Sequence, residues 1–259
     1  MYSNPLISFE KKLTMIRTLV DSVALKYSPG FFLYGSGGIG KTFTVTDQLQ
    51  ENGLPWQMLN GDLTAAGLFD FMSIYRDQVL VLDDMEFLLS NKVAVSYLRA
   101  ATWGNRTVTK TIKNKRFKFQ FSGGIIILSN EPIGRSNILL ALAQRLQPYE
   151  FEPSDEELLA MMNKIAYTCP HGLSTDSCQA VLKFLIANLN IISDTRLNLR
   201  IYMNALNARL MFEKGDSQVH WKDLIACQLS GKIIESSVNY QRKEPSDVKS
   251  RPIIMKQIG

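Results

Sequence analysis

The 259-residue sequence contains no apolar run long enough to cross a lipid bilayer. Its first residues, MYSNPLISFEKK, lack the pattern of a signal peptide. The three cysteines, Cys169, Cys178 and Cys227, do not suggest a disulfide framework. These absences favour a reducing, cytoplasmic location and predict no membrane partner.

The segment 106–118, RTVTKTIKNKRFK, has no acidic residue. Its six basic residues give it a charge of +6, although the whole chain carries only +5. The last twenty residues contribute a further +3, so the rest of the chain is mildly acidic. The chain therefore consists of two basic segments attached to a mildly acidic body.

The stretch 33–43, LYGSGGIGKTF, contains the pattern G-x-x-x-x-G-K-T. Its glycines permit backbone angles at which successive N–H groups converge on phosphate oxygens, and the following helix adds its dipole. Lys41 is placed to reach the β- and γ-phosphates, and Thr42 to bind Mg²⁺. The pattern therefore predicts a site for ATP and Mg²⁺, with a binding loop formed by Gly35, Ser36, Gly37, Gly38, Ile39 and Gly40.

Carboxylates follow a second apolar run, VLVLDD at 79–84, which is typical of a buried parallel strand. We expect Asp83 to complete the Mg²⁺ site. Asp84 or Glu86 is the candidate base that activates the attacking water. Asn130, which ends the apolar run GGIIILSN, is a candidate contact for the γ-phosphate or the water.

The order of patterns predicts an α/β fold with a parallel sheet over residues 1–152. Expected strands lie at 30–34, 55–61, 79–84, 123–130 and 148–153, and expected helices at 9–27, 41–50, 63–76, 91–103 and 137–146. Residues 153–231 read as a helical lid, with helices at 154–167, 176–190, 195–213 and 220–229. Residues 232–259 read as a flexible basic tail that could bind a protein partner.

At this point the sequence resembles the AAA+ ATPases. GSGGIGKT resembles their Walker A motif, VLVLDD their Walker B motif and IIILSN their sensor 1 strand. Many members have Asp-Glu where this chain has Asp83-Asp84, so turnover is expected to be slow without a partner. Asn60 lies where relatives often carry a polar residue that restrains the catalytic acid; an ordinary solvated asparagine fits equally well.

The resemblance also implies an oligomer. ALAQRL resembles the position of the arginine finger, which makes Arg145 the candidate, with Arg135 nearby; an ordinary surface arginine is the alternative. TRLNLRIYMNAL resembles the sensor 2 helix, with Arg200 as the sensor and Arg196 as the alternate. A finger that reaches a neighbour's site implies a homo-oligomeric ring or spiral.

Residues 106–121 read as a β-hairpin with aromatics on one face and a basic tip. Its place before sensor 1 resembles the hairpin of several AAA+ clades and of superfamily 3 helicases, which grips DNA. The predicted nucleic-acid contacts are Lys110, Lys113, Lys115, Arg116 and Lys118. The alternatives are a protein substrate and an edge hairpin kept soluble by lysines.

These features together predict an ATPase that acts on single- or double-stranded DNA as a loader, remodeller or helicase-like motor. The alternative is a nucleotide-switched assembly protein or a protein-remodelling chaperone with slow hydrolysis. No nuclease, protease or origin-binding domain is visible in the sequence.

Overall fold

A computed structural model describes residues 4–61, 63–134, 136–188 and 197–231. Five strands form a parallel sheet, and two more form a separate antiparallel hairpin. In chain order the strands are β1 (Gly30–Tyr34), β2 (Trp56–Asn60), β3 (Val79–Asp83), β4 (Thr107–Ile112), β5 (Lys115–Gln120), β6 (Gly124–Ser129) and β7 (Pro148–Glu150). The sheet order is β2-β3-β6-β1-β7, so the predicted α/β class with a parallel sheet is confirmed.

Helices surround this sheet and continue after its last strand. Those before β7 are α1 (Pro5–Ala24), α2 (Lys41–Glu51), α3 (Ala65–Ile74), α4 (Glu86–Ser90), α5 (Lys92–Thr102) and α6 (Asn137–Ala143). Those after it are α7 (Asp155–Tyr167), α8 (Thr175–Ala187), α9 (Leu199–Glu213) and α10 (Trp221–Ser230), with a 3₁₀ turn at Pro170–Gly172. No helix in the described ranges is both long and apolar enough to cross a membrane.

The two faces of the sheet have separate hydrophobic cores because neighbouring strand side chains point in opposite directions. In β1, Phe31 and Leu33 pack with α1, α2 and the helices after β7, whereas Phe32 packs with α3, α5 and the hairpin. The helical lid therefore shares one continuous core with α1 and the sheet. This packing fixes the lid helices against the same end of the sheet that carries the phosphate-loop residues.

The parallel register brings the carboxyl ends of the strands together. Asn60 pairs with Asp83, and Asp83 with Leu128, so β2, β3 and β6 end at one level. β1 ends beside β6, where Tyr34 pairs with Ser129, and the phosphate loop begins at the next residue. Ligands of such sheets bind at this edge, so the topology alone gathers the predicted site residues.

Some elements differ from the sequence prediction. The helix α4, only five residues long, follows Asp84 and was not predicted, because so short a segment has no readable period. The predicted helix 137–146 ends at Ala143, and the predicted strand 148–153 covers only 148–150. Arg135, Arg196 and the tail 232–259 lie outside the described residues.

Candidate functional site

The phosphate loop joins β1 to α2, and Lys41 is the first residue of that helix. The cap before it, Gly40, has a φ of 100°, a left-handed backbone conformation that favours glycine. The Lys41 ammonium donates hydrogen bonds of 2.6 Å to the Gly35 carbonyl and 2.9 Å to the Ser36 carbonyl. The loop thus encloses the Lys41 ammonium, and burial lowers the pKa of Lys41.

Thr42 and Asp83 form the oxygen-rich corner of the site. The Thr42 hydroxyl donates a 2.8 Å hydrogen bond to Oδ2 of Asp83, which lies at the end of β3 and is buried. Burial raises the pKa of Asp83, and the hydrogen bond from Thr42 opposes that rise. One hydroxyl and one carboxylate are the hard oxygen donors that Mg²⁺ takes when a nucleotide supplies the other ligands, so these residues fit that ion.

Asn130 connects the phosphate loop to the second acid. Its Oδ1 accepts a 3.1 Å hydrogen bond from the Lys41 ammonium, and its amide nitrogen donates a 3.0 Å bond to Oδ1 of Asp84. Asp84 has a φ of 52°, which is uncommon for a residue with a side chain. This backbone conformation, together with the bond from Asn130, orients Asp84 at the end of β3 beside Asp83.

The two candidate bases have different surroundings. Asp84 lines the cavity beside the phosphate loop. Glu86 begins α4, and its carboxylate accepts a 3.3 Å hydrogen bond from the Ser129 hydroxyl. Of the two, Asp84 thus lies closer to where a nucleotide's phosphates would lie.

A cavity of about 640 Å³ opens between the phosphate loop, the strand ends and the lid. Its polar wall includes Asn60, Asp83, Asp84, Asn130 and Arg200. Its apolar wall includes residues that the sequence prediction did not identify: Phe43, Met58, Ile165, Leu199 and Met203. The volume and the mixed lining suit a ligand of nucleotide size.

A second cavity of about 410 Å³ adjoins the first, between α1, α2 and α7. The two share Gly40, Phe43, Ile165 and Leu199. The other lining residues of the second cavity are partly apolar (Phe9, Leu13, Ile39 and Met161) and partly polar or charged (Glu10, Thr14, Arg17, Thr44 and Lys164). The first cavity therefore offers cations and carboxylates, and its neighbour offers a mixed apolar and charged surface.

The lid contacts the phosphate loop directly through the start of α9. The backbone N–H of Arg200 donates a 3.2 Å hydrogen bond to the Gly38 carbonyl. A Cβ at Gly38, whose φ is 75°, would lie only 2.6 Å from Oδ1 of Asn198. Glycine is thus required at this position both by the backbone angle and by the approach of the lid. Arg200 lies near enough to Lys41 for its charge to lower that residue's pKa further.

Glu152 is a site residue that the sequence prediction missed. Its carboxylate accepts 2.9 Å hydrogen bonds from both the backbone N–H and the hydroxyl of Ser36. The signal was available in the sequence, because Glu152 follows β7, and polar residues at the carboxyl ends of parallel strands commonly face the ligand.

Arg145 follows α6, and one end of its guanidinium donates to the Ala141 carbonyl. The guanidinium carbon lies 5.8 Å from the centre of the Trp103 ring. The described lining of the 640 Å³ cavity includes Arg200 but not Arg145. The structure therefore brings Arg200 to the chain's own phosphate loop and leaves Arg145 outside that cavity.

The basic hairpin divides into an anchored base and an exposed tip. Lys113 and Asn114 both have positive φ, as in a type I′ turn. Four of the predicted contacts, Lys113, Lys115, Arg116 and Lys118, are exposed. Lys110 is different: its ammonium is buried, lies 2.6 Å from Asp70 and stands 4.4 Å above the Phe69 ring. Lys110 is therefore corrected to an anchor of the hairpin, because its charge faces protein.

The predicted aromatic face is also only partly available. Phe119 and Phe121 are buried in the core, where Phe119 meets Phe69 edge to face. Only Phe117 is exposed, and Ile112 beside the turn is exposed as well. The predicted hairpin is present, and its aromatic residues share one face, but only the base of that face packs against the core, so Phe117 near the tip stays in solvent.

The chain matches no model of a known protein family, and no curated protein matches it. Among solved structures it is similar to a mutant form of RuvB from Thermotoga maritima, with a TM-score of 0.48 and 15% identity. The likeness covers 87% of this chain and 69% of that one.

Proposed function

We propose that this chain is an AAA+-like ATPase that binds ATP with Mg²⁺, works as a homo-oligomer and acts on nucleic acid. The observation that carries the proposal is the convergence of Lys41, Thr42, Asp83, Asp84 and Asn130 at one edge of a parallel sheet. These residues come from three separate segments of the chain, and together they offer a phosphate cation, metal ligands and a candidate base.

The phosphates of ATP would enter the 640 Å³ cavity, and its base would lie toward the adjoining cavity, against the shared apolar side chains of Phe43, Ile165 and Leu199. The Lys41 ammonium would exchange the Gly35 and Ser36 carbonyls for phosphate oxygens. Mg²⁺ would supply charge neutralisation at the phosphates, held by Thr42 and the ionised form of Asp83.

Hydrolysis needs a base for the attacking water. Asp84 lies in the cavity and accepts a hydrogen bond from Asn130, whose other end contacts Lys41. Movement of Lys41 toward a phosphate would change the Asn130 contact and free Asp84 to accept a proton. Arg200 would stabilise negative charge on the phosphates from the lid of the same chain.

The proposed oligomer is based on the position of Arg145. Arg145 is separated from its own cavity, so it would complete the site of a neighbouring copy. An arginine supplied from outside the binding chain is an effective way to stabilise phosphoryl-transfer charge. Arg145 would then make turnover depend on assembly.

The hairpin tip is the proposed surface for nucleic acid. Four exposed cations surround the turn, with Phe117 and Ile112 exposed among them. Cations that follow a backbone and an aromatic ring that stacks on a base suit sequence-independent binding of single-stranded DNA. A loader, a remodeller or a helicase-like motor would all use such a contact.

The deciding experiment measures ATP turnover and oligomer mass, each with and without single-stranded DNA. Changing Lys113, Lys115 and Arg116 together to Ala should abolish stimulation by DNA and leave ATP affinity unchanged. The matched control removes three exposed lysines from the body instead: Lys11, Lys183 and Lys214. Equal stimulation in the hairpin variant and the wild type would rule out the hairpin as the DNA contact.

A second candidate is a nucleotide-switched assembly protein that hydrolyses ATP slowly. The observation that favours it is Asp84, whose short carboxylate, uncommon backbone conformation and bond to Asn130 restrict its approach to a water. A protein-remodelling chaperone would use Phe117 and Ile112 on a polypeptide. ATP-dependent assembly with no DNA stimulation would favour these over the first proposal.

A further inference from the structure

Trp103 is an exposed tryptophan at the end of α5. It is the C-cap of that helix and adopts an extended backbone, so its side chain leaves the helix surface. Its exposed fraction is 67%, which is high for so large an apolar side chain. An exposed indole presents an apolar ring face that can contact a neighbouring group.

The neighbouring group is the guanidinium of Arg145, 5.8 Å from the Trp103 ring centre. That separation is within the range of a cation–π contact, and tryptophan is the strongest aromatic partner for such a contact. Arg145 also donates to the Ala141 carbonyl through Nη1. Its buried Nε has no hydrogen-bond partner among the described residues.

The choice of partners distinguishes Arg145 from an ordinary structural arginine. No carboxylate in the described ranges lies within ion-pair distance of it, so none of the described acidic residues neutralises its positive charge. A carboxylate would fix the guanidinium but cancel its charge, whereas an aromatic ring fixes its plane and leaves the charge intact. A guanidinium that is held in one orientation, is not paired with a carboxylate and still has N–H donors available can bind phosphate oxygens.

We propose that Trp103 is a positioning residue that holds the Arg145 guanidinium ready for the phosphates of a nucleotide bound to a neighbouring copy of the chain. This inference rests on the proposed ATPase function and adds a second residue to the shared site. Trp103 touches neither the nucleotide nor the water. It acts by restricting the rotamers that Arg145 would otherwise sample, and so reduces the entropy lost when the site closes.

Steady-state kinetics give the first test. Trp103→Leu should reduce kcat about twofold to fivefold, the size expected when a cation–π contact at an exposed site is lost, and leave ATP affinity within about twofold. Trp103→Phe should recover most of kcat, because a smaller ring still orients the guanidinium. Tyr27→Leu is the matched control and should leave kcat unchanged, since Tyr27 is 85% exposed and precedes β1, whose opposite end carries the phosphate loop.

Subunit mixing tests whether Trp103 acts across the interface. Lys41→Ala chains would lose their own nucleotide site but keep Trp103 and Arg145, whereas Trp103→Leu chains would keep the nucleotide site. A mixture of the two impaired forms should exceed the summed activity of each alone. The same recovery is expected for Lys41→Ala mixed with Arg145→Ala.

The outcomes separate this inference from the function on which it rests. Recovery with Arg145→Ala but not with Trp103→Leu would overturn the role of Trp103 and keep the shared site. No recovery in either mixture, or no ATP turnover in the wild type, would overturn the proposed function and this inference together. An unchanged kcat in Trp103→Leu would also overturn the inference, and binding of a fluorescent ATP analogue by that variant checks that it is folded.

Discussion

The ammonium group of Lys41 lies 3.1 Å from Oδ1 of Asn130. Because the amide nitrogen of Asn130 also donates to Asp84, one side chain links the phosphate cation to the candidate base. The Lys41 contacts with the loop carbonyls cannot all persist once a phosphate binds. Asn130 is therefore placed to transmit the arrival of a phosphate to Asp84.

The first prediction concerns this link. Asn130→Ala should reduce ATP turnover by about 10- to 100-fold, because Asp84 and the water lose their orienting partner. Binding of ATP should change by less than about threefold, since Lys41 and the loop remain. Turnover and the affinity for a labelled ATP analogue are measured side by side. Asn163→Ala, an exposed change on α7, is the control, and equal losses of turnover and affinity would contradict the link.

The second prediction concerns pH. Burial raises the pKa of Asp83 above its ordinary 3.8, so the folded state holds that proton more tightly than the unfolded chain does. Stability is therefore lost as the pH rises from 3.8 through the raised pKa. Asp83→Asn removes the buried charge and should therefore raise the free energy of unfolding at pH 7.

Urea unfolding of the nucleotide-free protein at a series of pH values measures this difference. The difference in the free energy of unfolding between Asp83→Asn and the wild type should become smaller as the pH is lowered toward 3.8. Asp77→Asn removes an exposed carboxylate and should show a much smaller gap. If the difference in unfolding free energy between Asp83→Asn and the wild type grew on acidification, the fold would stabilise the charged form of Asp83.

The sheet and the phosphate loop were predictable because their signals are local. An apolar run followed by glycines defines β1 and the loop, and the run 79–84 defines β3 with its two acids. Parallel strands end at one edge, so the meeting of Asp83 with Thr42 follows from the topology.

The remaining features depend on contacts between distant segments. Glu152 reaches Ser36 across 116 positions, and Lys110 reaches Asp70 across 40. Strand alternation already separates the two lysines, because Lys110 lies on the same face as Val108 and Lys118 on the face opposite Phe117 and Phe119. The sequence does not show which face of the hairpin packs against the rest of the chain. Their difference arises when the base of the hairpin packs on α3, which turns one lysine inward and leaves the other in water.

The third prediction follows from that difference. Lys110→Met keeps most of the apolar stem but loses the contacts with Asp70 and the Phe69 ring, so it should lower the free energy of unfolding by about 1 kcal/mol. Lys118→Met removes the same charge from an exposed position and should change stability by less than about 0.5 kcal/mol. Limited proteolysis of the hairpin and chemical unfolding provide the measurements. Equal destabilisation by the two changes would contradict the anchoring role of Lys110.

The fourth prediction uses the salt dependence of DNA binding. Each phosphate neutralised on single-stranded DNA contributes about 0.7 to the slope of log affinity against log salt concentration. Changing Lys113, Lys115 and Arg116 to Ala should therefore reduce that slope by about 2 in a titration with labelled oligonucleotide. Phe117→Leu should weaken binding at all salt concentrations with an unchanged slope, because base stacking releases no counterions. If the salt dependence of the triple variant equalled that of the wild type, the DNA phosphates would contact residues other than Lys113, Lys115 and Arg116.

The fifth prediction concerns Glu152, whose carboxylate holds Ser36 at the start of the phosphate loop. Its charge is close enough to raise the pKa of Lys41 and would therefore repel incoming phosphates. Glu152→Gln keeps an acceptor for Ser36 but removes the charge, so ATP should bind about three- to fivefold more tightly at low salt and the gain should shrink as salt is added. Titration with a fluorescent ATP analogue measures this, with the exposed Glu150→Gln as the control. Weaker binding by Glu152→Gln would mean that the hydrogen bonds to Ser36 shape the loop more than the carboxylate charge opposes the nucleotide.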